Sequence, residues 1–185
     1  MIGWRYCGRF NDWTQNAIPE PNLTWIDEAE AKRRYALPAQ ELALIPILQD
    51  PSGIVPWHIN VTTGENPTFM ITFQRPPGVP VSRVRWRNVG NGRLFAHQAH
   101  VWDYPDQPPH PMLPMKERDA LIRFDFINYE DGTGRLLIYE KGSRDITTAD
   151  RRIDPFTMYA PVATWGHWDE LADRDARGYS EKQVQ

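Results

Sequence analysis

The alternation of hydrophobic and polar positions along this chain predicts strands and tight turns after one early helical stretch. In residues 21–45, Pro21-Asn22-Leu23-Thr24 offers a cap. Asp27, Glu28 and Glu30 stand where a helix dipole favours acid, and Lys32, Arg33 and Arg34 follow them. The pattern predicts a first helix ending near Leu37. Pro38 suits the first turn of a second short helix through Glu41 and Leu42, making a helical pair before Pro46 interrupts the apolar run from Leu42 to Leu48.

From there the period shortens to two. Residues 57–62 and 68–73 are rich in β-branched and aromatic side chains and read as two strands joined through Gly64-Glu65-Asn66-Pro67, whereas 76–80 (Pro-Pro-Gly-Val-Pro) reads as a surface connection. Arg83, Arg85 and Arg87 then alternate with Val84 and Trp86, a strand with one basic face. Gly90-Asn91-Gly92 turns the chain. With a two-residue loop, Phe95, His97, Ala99 and Val101 join Val84 and Trp86 on the apolar side, and His100 and Trp102 stand beside the arginines. A three-residue loop swaps those sides. The prolines at 105, 108, 109, 111 and 114 impose an extended rim loop. A second hairpin spans about Leu121 to Tyr139. Asp131-Gly132 as a type I′ pair would set Phe124 opposite Tyr139, Phe126 opposite Leu137 and Arg123 opposite Glu140. Residues 156–165 predict a strand or irregular cover, and 167–176 a short helix stopped by Gly178.

These elements predict an α+β, mainly β fold: an antiparallel sandwich or half-barrel with an N-terminal helical pair and a short C-terminal helix. Residues 1–178 are read as a single globular domain and 179–185 as a polar tail. At 185 residues and 41% hydrophobic, the chain is long and apolar enough to bury a core without staples. The formal net charge of −3, from 21 basic and 24 acidic side chains, supplies no global field for phosphate backbones or anionic lipid. A single cysteine, Cys7, excludes an internal disulfide and a cysteine-rich zinc module. No run of about eighteen apolar residues predicts a membrane span, so the reading is a cytoplasmic or otherwise intracellular soluble protein. A mature secreted chain stripped of its signal would present the same residues.

Candidate chemistry is sparse. His97, His100 and His110, with Asp103 and Asp106 nearby, invite a metal reading. A strand, however, points His97 and His100 to opposite faces, so no metal site is assigned. There is no Gly-x-Ser-x-Gly elbow and no phosphate-cradling glycine loop, so no cofactor is implied. His97, His100 and Asp103 are the candidates for acid–base catalysis. Arg83, Arg85 and Arg87, extended by His100 and Trp102, are the candidates for binding an acidic group through charge-assisted hydrogen bonds. Eight tryptophans serve mainly as core, with Trp102 and Trp168 the candidates for exposed recognition.

Residues 26–42, IDEAEAKRRYALPAQEL, resemble a short motif of the xeroderma pigmentosum group A repair family; Ala31, Lys32, Tyr35, Leu37 and Leu42 carry the match. In that family the segment opens a damaged-DNA-binding region behind a four-cysteine zinc module, which one cysteine cannot build. The resemblance therefore implies a local helix-turn-helix shape rather than a shared function. The leading reading is a non-catalytic recognition or interaction protein of binding or inhibitor/immunity type, with a protein or small-molecule ligand and no membrane. One alternative is a small enzyme with an aromatic-lined β pocket. The other is nucleic-acid binding, which requires the basic residues of 25–42 and the arginine strand to share one face.

Overall fold

A computed structural model describes residues 3–11, 16–17, 25–47, 55–75, 78–107 and 115–172. The expected cap at 21–24, most of the proline-rich rim, His110 and everything after residue 172 lie outside these. The period-two stretches become β5 (Trp57–Thr62), β6 (Thr68–Arg75), β7 (Val79–Gly90), β8 (Arg93–Asp103), β9 (Ile122–Asn128), β10 (Thr133–Glu140) and β11 (Ile146–Arg152). Each pairs antiparallel with the next. At the other end β1 (Gly3–Cys7) flanks β4 (Glu41–Ile47), giving the open order β1-β4-β5-β6-β7-β8-β9-β10-β11. β12 (Tyr159–Pro161) adds to the start of β8, while β2 (Phe10–Asn11) and β3 (Asn16–Ala17) form a separate ladder.

Residues 41–47, expected to open in a second helix, form strand β4. The cause is burial on both sides. Leu42 and Leu44 face one core, while Ala43 and Ile45 join Cys7 and Phe10 in another, so all four are at most 1% exposed. A short helix would bury only one stripe of such a run. Pro46 is tolerated because β4 pairs with β5 only as far as Leu44, leaving Pro46 with a single neighbouring strand. The first helix, α1 (Glu28–Tyr35), does form; its N-cap Asp27 carboxylate accepts the Glu30 amide at 2.8 Å. The helix-turn-helix shape implied for residues 26–42 is thus replaced by a helix followed by a strand.

Register decides the two faces. Tyr6, Leu44, Ile59, Ile71, Val84, Ala99, Phe126, Leu136 and Ala149 are successive cross-strand partners, forming one apolar row across nine strands. This inner face carries the main core. Its cover comes from α1 and from residues 153–172, which include a 3-10 turn (Pro155–Met158), β12 and a short C-terminal helix, α2 (Asp169–Ala172). Aromatic rings close the seam. Trp165 stacks on Tyr6 at 5.4 Å between centroids and meets Tyr35 edge-on at 5.5 Å, while Trp168 meets Tyr35 at 5.6 Å and Phe69 at 6.3 Å. Trp165 also donates its indole N–H to Glu28 at 3.1 Å.

The two hairpin turns show what the sequence does and does not predict. Asn91 and Gly92 have φ of 53° and 69°, the two-residue loop expected between β7 and β8. Ala99, Val101, His100 and Trp102 therefore fall on their expected sides. Two compensating bulges, with His97 extra on β8 and Val89 extra on β7, shift the segment between them by one residue. Phe95 consequently sits opposite Arg87 in register, and is fully buried as a member of the main core. In the second hairpin only Gly132 is left-handed (φ 83°), and Gly132 donates to the Tyr129 carbonyl. Three residues then form the loop, a turn closed by a glycine bulge, and the register slips by one. Phe124 faces Ile138 and Phe126 faces Leu136, not Tyr139 and Leu137. Val79 and Pro80, expected in a connection, pair with Arg75 and Gln74 beyond a bulge at Phe73/Gln74.

Trp168 is fully buried and Phe156 is 82% exposed. Trp168→Ala should therefore cost about 3–5 kcal/mol of stability in a urea titration. Phe156→Ala should stay within about 0.5 kcal/mol of the wild type.

Candidate functional site

The outer face of the central strands carries a second row that the apolar one implies. His58, Thr72, Arg83, His100 and Asp125 are successive partners on β5 to β9. It is a polar ladder flanked by two small apolar clusters, one around Cys7, Phe10, Ala43 and Ile45, the other around Val79, Trp102, Tyr104 and Ala120. Its members have committed contacts. Arg83 donates through Nε to Thr72 at 3.2 Å and through Nη2 to Glu117 at 2.7 Å, with its guanidinium carbon 5.3 Å from the Trp102 ring centroid. His100 stacks on the same indole at 5.9 Å and places Nδ1 2.7 Å from Asp125 Oδ1, so the carboxylate accepts the Nδ1 proton. Arg123 Nε lies 3.0 Å from that oxygen, and its guanidinium carbon stands 4.0 Å from the Tyr139 centroid.

At the far end of the row His58 is 1% exposed, packs against Phe10 at 5.0 Å and lies 3.2 Å from Gln74 through Nδ1. Burial, with a smaller contribution from Arg83, pushes its pKa down to about 3. His97, the bulge residue, is likewise held below its ordinary value, first by burial and then by Arg87 and Arg85. Its Nδ1 is buried without a hydrogen-bond partner.

The expected site residues divide accordingly. Arg83, His100 and Trp102 converge, with Trp102 only 6% exposed between the Arg83 guanidinium and the His100 ring, so it is an internal spacer and not an open stacking platform. Trp168 is buried as well. His97 and His100 do not share a cavity with Asp103, which is exposed at the end of β8 on the side opposite Trp102. Asp125 takes the place expected of Asp103 beside His100. Twenty-five residues separate His100 from Asp125, and only the β8–β9 register joins them. The available signal was that Phe124 and Phe126 alternate inward, which turns Asp125 outward.

Beside the polar ladder runs a more open row: Asn60, Met70, Arg85, Gln98, Ile127, Arg135 and Asp150. Arg87 is held by Glu130 at 2.8 Å, and Glu130 also accepts from the Tyr159 hydroxyl at 3.2 Å. Arg85, between Arg83 and Arg87 on the same strand face, is exposed and meets no carboxylate among the described residues. The basic residues of α1 lie elsewhere. Lys32 pairs with Glu28, while Arg33 and Arg34 both pair with Glu30, on the helix that covers the inner face.

Among the described residues no three His, Cys, Asp or Glu side chains gather to hold a metal, and no helix is long and apolar enough to cross a membrane. The His100–Asp125 pair fixes a histidine tautomer, but among the described residues the hydrogen bonds of His100 reach no hydroxyl, thiol or amine that it would activate. The arrangement is suited to holding charge in place. Comparisons with protein-family models, curated proteins and solved structures find no match to this chain.

The sign of the His58 effect follows from linkage. Its folded pKa lies below the ordinary 6.5, so between pH 6.5 and about 3 the unfolded chain binds the extra proton. Stability is insensitive to this group above pH 6.5 and falls as pH drops through that window, by up to about 1.4 kcal/mol per pH unit. His97 adds in the same direction. Urea titrations across this range should show His58→Gln with a shallower acid limb than wild type. Asp125→Ala, which strips His100 of its acceptor and Arg123 of its counter-ion, should cost about 1–3 kcal/mol near neutrality.

Proposed function

We propose that the protein is a non-catalytic recognition module that presents the arginine face of β7 and β8 to an acidic group on a protein or small molecule. The observation that supports this reading most is Arg85. It is an exposed guanidinium without a carboxylate partner among the described residues, set between two arginines whose positions are fixed by Glu117 and Glu130. The charges of Arg83 and Arg87 are balanced by their glutamates, so the unbalanced positive charge of this stretch of β7 sits on Arg85. The free fork can then meet a carboxylate or phosphate bidentately. Protein-inhibiting or immunity-type binding is one form this would take. The nucleic-acid reading required both basic patches on one face, and α1 and the arginine strand occupy opposite sides of the sheet.

A second reading draws on the 2.7 Å contact between His100 and Asp125, the geometry of an oriented general base. It ranks lower because that histidine engages no nucleophile among the described residues.

The test is an array of carboxylate- and phosphate-bearing ligands probed at low salt with wild type, Arg85→Glu and Arg33→Glu. Retained ligands should lose at least about tenfold in affinity with Arg85→Glu, the worth of one charge-assisted contact. Binding should be unchanged with Arg33→Glu and weaken as salt rises. Equal binding by wild type and Arg85→Glu, or an empty array, would count against the reading.

A further inference from the structure

The nine-strand apolar row ends at Ala149, on a strand whose outer side pairs with no strand among the described residues. β11 runs in unbroken register with β10 for seven residues, with no bulge, proline or lysine to blunt it. Six of its seven side chains are exposed, Ile146 at 52%. The opposite edge of the sheet is treated differently. The Ile26 amide donates to the Tyr6 carbonyl at 3.0 Å, and Trp25 lies 3.6 Å from the Arg5 guanidinium, so a crossing segment occupies the free side of β1. Among the described residues, one edge is bridged within the chain and the other is left with unpaired backbone groups, a template for another strand.

The sequence of β11, Ile-Thr-Thr-Ala-Asp-Arg-Arg, restricts what that strand can be. Amides pointing away from β10 occur at every second residue, so an antiparallel copy must pair residues of the same parity. Setting Asp150 opposite itself, or Arg151 opposite itself, opposes like charges directly. Setting Ala149 opposite itself uses the full strand. It then places Asp150 across from Thr148 and leaves Arg151 and Arg152 across from Thr147 and Ile146. In that register the inner-face row continues through the axis as Phe126, Leu136, Ala149 and then the same three from the second copy. Leu136 is only half-buried within one chain. Charge, parity and the apolar row select the same pairing.

We propose that two copies of the chain associate about a two-fold axis through Ala149, joining their sheets by antiparallel β11–β11 pairing. The interface is isologous, so it closes at two copies instead of propagating. It stands apart from the ligand reading of the arginine face.

The test is size-exclusion chromatography with light scattering on the full chain and on two variants, Ala149→Glu and Ala149→Lys. Ala149 is exposed, so neither substitution disturbs the core. The wild type should run at twice the chain mass. Each variant alone should run at half the wild-type mass, because like charges meet on the axis. An equimolar mixture of the two should return to the doubled mass, which a misfolded variant cannot do. A monomeric wild type overturns the proposal, as does a variant that remains dimeric alone or a mixture that stays monomeric.

Discussion

A one-residue slip anywhere between β4 and β10 would turn Ile59, Ile71, Val84 or Ala99 to the outside and bring a histidine, arginine or carboxylate into the main core. The rest of the structure depends on that constraint. The apolar row fixes register, and register alone lines up His58, Thr72, Arg83, His100 and Asp125 on the other side. The polar ladder is in this sense a by-product of packing. Its contacts are nevertheless well satisfied, as buried polar groups must be. Long-range pairing does the work that a local motif does elsewhere: Arg83 reaches Glu117 and His100 reaches Asp125 across separations that no spacing rule describes.

Much of the fold was legible in the chain because period-two alternation is a local signal. The antiparallel sheet, the strands 57–62 and 68–73, the arginine strand and its two-residue turn all follow from neighbouring residues. What escaped was set by distant ones. A second helix was expected from Pro38 through Glu41 and Leu42, and the presence of a core on each side makes 41–47 a strand instead. The pair Asp131-Gly132 fits two loops, and the three-residue one is the one that brings Leu136 to Phe126. The bulge at His97 has no marker in its own residue type.

The candidate site was legible to a similar depth. Arg83, His100 and Trp102 were placed together correctly because they share one hairpin. Asp125, Glu117 and Gln74 were missed because they arrive from other elements. The tryptophans show the limit of composition. Trp102 and Trp168 offer wide surfaces for recognition in the sequence, and the fold uses both as filling. Arg85, unremarkable within its run of arginines, becomes distinct only once its neighbours on the strand are seen to be occupied.

Beyond α1, the cover of the inner face comes from residues 153–172, so the fold cannot be finished in the order in which it is made. A ribosome producing this chain completes β4 to β11 while Phe69, Trp86 and their neighbours still lack Trp168 and Leu171. The contact between Glu28 and Trp165 spans 137 residues and forms only once Trp165 has been made. Until then the nascent sheet is two-faced, with one side apolar and wet. Folding is therefore slow relative to local hairpin formation, and the uncovered intermediate is of the kind that chaperones hold.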